Sequence, residues 1–368
     1  MKDSRGHFVT KAFITLLLCC FLFLQTGCSH IFAGQYDIKK PPRIRPASYA
    51  SSTLGTTFIG PSELLTHGYT SGWSEGNGIV YTCRGGHIDI AHLRKTADWT
   101  AFLTIKTLKQ IKKGKTDFTF KLKEPSVYHV HITYPEYWKG LSKQSRERYA
   151  REIALGLGQY FAYTASVWHE ILTWFGWSSI KIYPEFPSAF SWEDSYSNLL
   201  GTHIAVKVLR DNKYLYDAAM TLAIKQELID LKIQSKETAM RAAEAVKGQW
   251  FSDGFLFLVK MKGRNFDLGL DDGFITPWIV PGIAECHDAK PKPYPVPTLD
   301  FLDQHKFSVK LEIEPKERES KKILKVVYPD KKERKKRIEP AVHFAQIMDY
   351  IKEEAIKKYG PDVAPTSQ

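Results

Sequence analysis

Beyond its N-terminus the sequence has no apolar run of the roughly 20 residues a membrane-spanning helix needs, which excludes a polytopic membrane protein. It has no internal repeat, which excludes a solenoid or propeller. Cysteine is scarce, with five in 368 residues. A chain of this length can bury a sizeable core without disulfide or metal staples. Acidic residues are in deficit: 40 Asp and Glu face 52 Lys and Arg, for a net charge of +12. That excess predicts attraction to anionic partners and says nothing about fold. The chain is 43% hydrophobic and 25% charged, the composition of a folded protein rather than of a disordered one. The length fits two domains, or one large domain with appendages.

The N-terminus reads as an address. Lys2, Arg5 and Lys11 precede an apolar stretch from Ala12 to Leu24. A basic segment followed by an apolar one of this length is a secretory signal. Gly27 directly before Cys28 resembles a bacterial lipobox, with one departure: Gln25 stands where that pattern prefers Leu, Val or Ile. The resemblance implies cleavage before Cys28, acylation of its thiol and new amine, and stable membrane attachment through several acyl chains. Ser29, rather than Asp, after the cysteine resembles the rule for sorting to the outer membrane. The expectation is a lipid-anchored protein of the bacterial cell envelope, on the outer membrane and facing the periplasm; the departure at Gln25 leaves an ordinary cleaved signal or an uncleaved anchor as the alternatives. Cys19 and Cys20 leave with the signal, so the domain keeps Cys83 and Cys286. In an oxidising compartment these are either a disulfide or two buried thiols.

The chain divides into a signal at 1–27, a flexible tether at 28–60, a main domain at 61–290 and a basic C-terminal extension at 291–368. A strand and Gly-rich turn lead into a helix capped by Asp89 and running to about Lys113. Residues 127–134 alternate and are β-branched or aromatic, which predicts a strand. A helix from about Ser142 to Trp174 starts amphipathic and becomes apolar all round, so it belongs inside the domain. Further strands are expected at 180–184 and 254–261, and further helices from Ser191, at 215–231 and at 236–249. In the extension, residues 306–339 carry a net charge of +6, half of the whole excess. Strands at 307–313 and 323–328 are expected to form a hairpin there, before a helix at 340–358. The fold class is α+β: a helix-rich single domain with a buried central helix and a small mixed or antiparallel sheet.

Three segments could carry chemistry. The first, TCRGGHIDIAHLRKTADW at 82–99, holds Cys83, His87, Asp89 and His92 around a Gly-Gly turn. Its structural reading is Asp89 as helix cap, Arg94 and Asp98 as an i,i+4 pair, and His87 at the surface. The second, WHEILTWFG at 168–176, begins like the zincin motif H-E-x-x-H, but position 173 is Thr, so no zincin site is present. His169 and Glu170 remain in an apolar helix, and a buried carboxylate needs a cation, a metal, hydrogen-bond donors or its own proton. The third, SAFSWEDSYSNLLGTH at 188–203, offers Ser191 and Asp194 as a capping-box variant. That leaves Glu193, and Asn198 one turn after Asp194, unexplained. Together His92, His169 and Asp194 suit Zn²⁺ or another divalent metal, with Glu170 as the catalytic carboxylate. A rival arrangement pairs Cys83 as nucleophile with His87 or His92 as its base. The loop starting at Asp267 is read as a turn, because its twelfth position is Trp278 where a calcium loop needs Glu.

The phrases TCRGGHIDIAHLR, WHEILTWFG, SWEDSYSNLLG and PWIVPG, in this order behind a lipoprotein signal, resemble an uncharacterised bacterial envelope lipoprotein family, domain of unknown function 4056. The resemblance covers roughly residues 60–290 and implies a location, not an activity. Two functions stand. One is a metal-dependent hydrolase of an envelope polymer or lipid. The other is a non-catalytic lipoprotein that binds an anionic envelope component through its basic C-terminal region. Export argues against nucleic acid as the partner.

Overall fold

The computed structural model describes residues 38–45, 48, 50–51, 56–178, 185–211, 213–252 and 261–363. The signal segment, Cys28 and the strand expected at 180–184 lie outside these residues, as does the strand expected at 254–261 but for Met261. Among the described residues no helix is long and apolar enough to cross a membrane.

The fold is α+β, built on helices with small antiparallel sheets around them. A hairpin of β1 (Ile79–Thr82) and β2 (Gly86–Asp89) feeds directly into α1 (Ile90–Lys112). Gly86 makes this turn with φ 64°, and a Cβ there would lie 2.0 Å from the Trp278 carbonyl oxygen, so only glycine fits. The chain then forms β3 (Asp117–Phe120) and β4 (Val127–Thr133) before α2 (Lys143–Trp174). Ser142 caps α2 by accepting the Ser145 N–H. From Ala150 onward α2 is buried on almost every face, and it is the central helix of the core. Helices α3 (Asp194–Arg210), α4 (Tyr216–Asp230) and α5 (Lys236–Ala245) follow. Helix α1 packs against both α2 and α3. The approach of α3 is close: a Cβ on Gly201 would stand 2.1 Å from the Leu93 carbonyl oxygen.

Two strands expected to pair with each other do not. Residues 323–327 are helical, within α6 (Ser320–Val327), with Tyr328 just past its end, so these two segments form no hairpin. Leu-Lys-Val-Val there has strand-like composition, but Ile323 and Val327, four apart, bury one face of a helix. After the short pair β5 (Phe274–Ile275) and β6 (Tyr294–Pro295), β7 (Ser308–Glu314) instead joins β4 antiparallel, in a sheet ordered β3-β4-β7. Val130 lies opposite Leu311 and Tyr128 opposite Ile313, all four buried. Helix α7 (Pro340–Tyr359) lays Phe344, Ile347, Met348 and Ile351 into the same core. The basic extension is thus stitched to the main domain by strand pairing and by shared apolar burial.

The described part of the expected tether is also packed. Ile38, Ala50, Phe58 and Ile59 are buried, so folded structure begins well before Ser62. The cause is a polar anchor invisible in the local composition. Arg45 is 5% exposed and reaches Glu75 at 2.9 Å and Asp98 at 2.6 Å. Asp98 also accepts from the Tyr216 hydroxyl at 2.9 Å and meets His67 at 3.0 Å. Arg94 therefore does not pair with Asp98. Its guanidinium donates to the carbonyls of Leu64 and Gly76 and to Asn77. The wall beside this region carries a disulfide between Cys83 and Cys286. It closes a separation of 203 residues, for which the chain-entropy account gives about 5 kcal/mol, against the roughly 2–4 kcal/mol typical of disulfides.

The anchor makes an acid-sensitive fold. Burial opposes ionisation of Glu75, but Arg45 and the Gly68 N–H outweigh it and hold the carboxyl at about 2. A depressed carboxyl stabilises the fold above its unfolded value near 4.3, and that contribution is lost as pH falls toward 2. Glu75→Gln, which leaves Arg45 with one fewer carboxylate, is expected to cost about 3–5 kcal/mol at pH 7. In urea unfolding the gap to the parent chain should shrink steadily from pH 5 to pH 2. A gap that stays constant over that range would remove Glu75 as the acid-sensitive element.

Candidate functional site

The start of α1 and the start of α3 meet, and the candidate site is their meeting point. Asp89 caps α1: its Oδ1 accepts the N–H groups of Ala91 at 2.6 Å and His92 at 3.3 Å. Its own N–H donates to Ser197 Oγ at 2.9 Å, and Ser197 donates to the Glu193 carbonyl at 2.6 Å. This chain of bonds ties the first turn of α3 to the last residue of β2. His92 then projects from the first turn of α1 toward Asp194, the first residue of α3. Its Nδ1 lies 2.8 Å from Asp194 Oδ1 and 3.0 Å from Asp89 Oδ2. These are charge contacts without hydrogen-bond alignment, because neither His92 Nδ1 nor Asp194 Oδ1 has an aligned partner.

The protonation of the cluster follows from its burial and its charges. Burial and Lys95 act against the charged imidazole, but Asp194 and Asp89 raise His92 to about 10. Burial likewise opposes the Asp194 carboxylate, and His92 and Lys95 still hold it below the usual range. Glu193 goes the other way. Burial, then Asp194, push its carboxyl up to about 8, against the Ala50 N–H that Oε1 accepts at 3.1 Å. Glu193 Oε2 has no hydrogen-bond partner, and neither has the Oδ1 of buried Asn198. Asn198 follows Asp194 by one turn on the same face of α3. Asp194 puts its charge at the positive end of the α3 dipole, but Ser191 does not act as a capping residue; Glu193 occupies the cap position without a side-chain bond.

Helix α2 brings Glu170 to the back of this cluster. Its Oε2 accepts the Phe190 N–H at 2.8 Å, and burial together with Asp194 raises its carboxyl. The partner is thus a backbone amide rather than an arginine or histidine. Phe190 has φ 56°, a conformation a bulky side chain adopts only when its surroundings impose it. Glu170 and the Asn265 N–H, which donates to the Phe190 carbonyl at 2.9 Å, hold that turn between them.

His169 turns away. Its Nδ1 lies 2.8 Å from Glu124 Oε1, and its ring meets Trp177 edge-on. Among the described residues it has no direct contact with His92 or Asp194. Adjacent positions on a helix point about 100° apart, so His169 and Glu170 serve different neighbours. Among the described residues no three His, Cys, Asp or Glu side chains are drawn together as a metal cage. His87 is buried, not at the surface: Tyr81 and Trp192 flank its ring, and burial lowers it to about 4. Cys83 is held in the disulfide with Cys286, and in that form it has no free thiol to pair with His87 or His92.

Two contributors escaped the sequence reading. Lys95 is half-buried, three residues after His92 on the same face of α1, and feels Glu170, Asp194 and Glu124. Burial lowers its ammonium. The i,i+3 spacing from His92 is the signal that could have found it. Glu124, 2% exposed, is kept ionised against its burial by His169. It sits in a loop, and nothing in its local sequence marks it.

Glu193 gives a prediction with a sign. Unfolded, it ionises near 4.3; folded, near 8. The unfolded chain releases the proton first, so this group weakens the fold progressively as pH rises from about 4.5 to about 8. Glu193→Gln keeps an acceptor for Ala50 and carries no charge. In chelator its melting temperature should exceed the parent's at pH 8 by roughly 3 °C or more, and the two should converge by pH 4. Parallel curves would show that Glu193 ionises normally.

The family described as "protein of unknown function (DUF4056)" matches residues 51–258, and the chain belongs to that family. No curated protein and no solved structure matches the chain. The matched span contains Asp89, His92, Glu170, Glu193 and Asp194 and stops short of β7, α6 and α7.

Proposed function

We propose that this family member is a metal-dependent hydrolase, centred on His92, Asp194 and Asp89, that acts on an envelope polymer or lipid. One observation carries the reading. Asp194 Oδ1, Glu193 Oε2 and Asn198 Oδ1, from the cap and first five residues of α3, are buried polar atoms without aligned hydrogen-bond partners. Native proteins rarely leave such atoms unsatisfied, and a cluster of them suits a cation. The donors are an imidazole nitrogen and carboxylate oxygens, a set that fits Zn²⁺ or a similar divalent ion taking the place of the proton on His92. Asp89, fixed as the α1 cap, orients the imidazole in the way an outer carboxylate does in metal sites. The ion, when bound, supplies Lewis acidity and lowers the pKa of water.

The chain's own groups complete the chemistry. Glu170, its carboxyl raised by burial and by Asp194, is placed to exchange a proton with a reacting oxygen. Lys95 offers a cation beside Glu170 and Asp194, where charge would develop on an attacked carbonyl or phosphoryl group. The location is part of the same proposal: a lipid on Cys28 holds the domain at the envelope membrane. The basic region supports an added attraction to anionic surfaces. Part of its charge is neutralised internally, as Arg337 and Lys310 meet Glu312, while Lys331, Lys332, Lys335 and Lys336 stay exposed.

Metal analysis of protein purified without chelator should find about one equivalent of a divalent metal, lost in both His92→Ala and Asp194→Asn. Glu170→Gln keeps an acceptor for the Phe190 N–H. It should retain metal and lose about 10²-fold or more in hydrolysis of ester or phosphodiester probes. Metal-free protein that binds no added Zn²⁺ or Mn²⁺ would sink the reading. For the anchor, Cys28→Ser should move the protein from the membrane fraction to the soluble periplasm or leave it as uncleaved precursor. An unchanged mature membrane form would exclude acylation of Cys28.

A further inference from the structure

A cavity of about 730 Å³ opens where α2 ends, and none of its lining belongs to the His92–Asp194 cluster. Its walls are aromatic. Trp174 and Phe175 close α2, and Tyr350 of α7 stacks on Phe175 with ring centres 5.9 Å apart. Phe186 meets Trp174 at 5.1 Å. Its rim is cationic. Lys322 and Lys325 stand three apart on α6 and so share a face, and Lys358 comes from α7. Behind the aromatic wall the buried guanidinium of Arg264 lies 5.2 Å from the Trp174 ring and 5.4 Å from Phe186. The single carboxylate in the lining, Glu354, accepts the Trp174 indole N–H at 2.7 Å, which fixes the ring and occupies one oxygen.

We propose that this cavity binds an anionic amphiphile, with its apolar body against the rings and its phosphate or carboxylate head at Lys322, Lys325 and Lys358. The volume falls within the range of small-molecule sites and exceeds what a bare inorganic anion fills. Charge complementarity selects the head: three ammonium groups at the rim, and a guanidinium behind the wall, face one engaged carboxylate. Aromatic surface selects the body: Tyr350 is exposed and Phe186 half-buried, and these two rings, backed by the buried Trp174 and Phe175, gain by burying apolar area. The lysine stems can lie along such a chain while their ammonium groups reach its head. The site is independent of the metal reading, and its test reads binding, not activity.

The purified protein, kept free of detergent, is titrated calorimetrically with dodecyl phosphate and with laurate below their micelle concentrations. Inorganic phosphate and dodecyl maltoside serve as controls. Dodecyl phosphate or laurate should bind near one per chain, at least tenfold tighter than either control. The double variant Lys322→Glu, Lys325→Glu, altered only at exposed positions, should keep its melting temperature and lose at least tenfold in affinity. Tighter binding of one of the two probes tells a phosphate head from a fatty carboxylate. Equal binding of dodecyl maltoside would reduce the cavity to an apolar surface, and equal binding of phosphate would reduce it to a cation patch. Undiminished binding by the folded double variant would place the amphiphile elsewhere. Each of these three results overturns the proposal.

Discussion

Burying three carboxylates and one imidazole where two helices begin is the constraint on which the rest of this structure depends. Asp89, Glu193 and Asp194 crowd around His92 with almost no water access. Such charges are tolerated only when each is paired, hydrogen-bonded or neutralised. The molecule uses all three means. Asp89 is taken up by the α1 cap, Asp194 by the imidazole, and Glu193 by its own proton. The Asp89–Ser197–Glu193 chain of bonds then fixes how α3 meets α1, and Gly201 permits the close approach that this register demands. Loosening any of these would leave a buried charge without its partner.

The segment before β1 completes the arrangement from outside. Ser48 N–H reaches Asp89 Oδ2 and Ala50 N–H reaches Glu193 Oε1, so main-chain donors before β1 close over the acids. Arg45 holds that stretch down by inserting between Glu75 and Asp98. A guanidinium suits this position, since its planar fork meets two carboxylates and the Gly68 carbonyl at once. The site and the N-terminal segment are therefore coupled through α1, which carries His92 and Asp98 on different faces.

On the opposite side, α2 links two regions of different chemistry. Its Glu170 faces the acids at the start of α3, and one turn on, Trp174 forms the wall of the lysine-rimmed cavity. The turn around Phe190 separates them, held in its strained conformation by Glu170 and by the strand-like bridge from Ser191 to Arg264. Chemistry at one region and binding at the other would thus be felt by the same helix.

Local rules were enough for much of this. The 3.6-residue period and the Ser142 cap mark α2, Asp89 before an apolar run marks α1, and alternation marks β4. The unusual density of Asp, Glu and His in three short phrases marks the residues that gather at the site, because such groups are seldom buried without reason. What local rules cannot supply is a partner distant in sequence. Whether 323–328 is strand or helix depends on which surface it packs against. The pairing of β4 with β7, the turn of His169 toward Glu124, the loss of Arg94 from Asp98 to Arg45 and the joining of Cys83 to Cys286 are contacts across tens to hundreds of residues. The sequence by itself determined the longer helices, the caps at Asp89 and Ser142 and the candidate chemistry, since these rest on neighbours within a turn. Only the tertiary structure decided who meets whom, because desolvation and charge pairing exist only once remote segments share one interior.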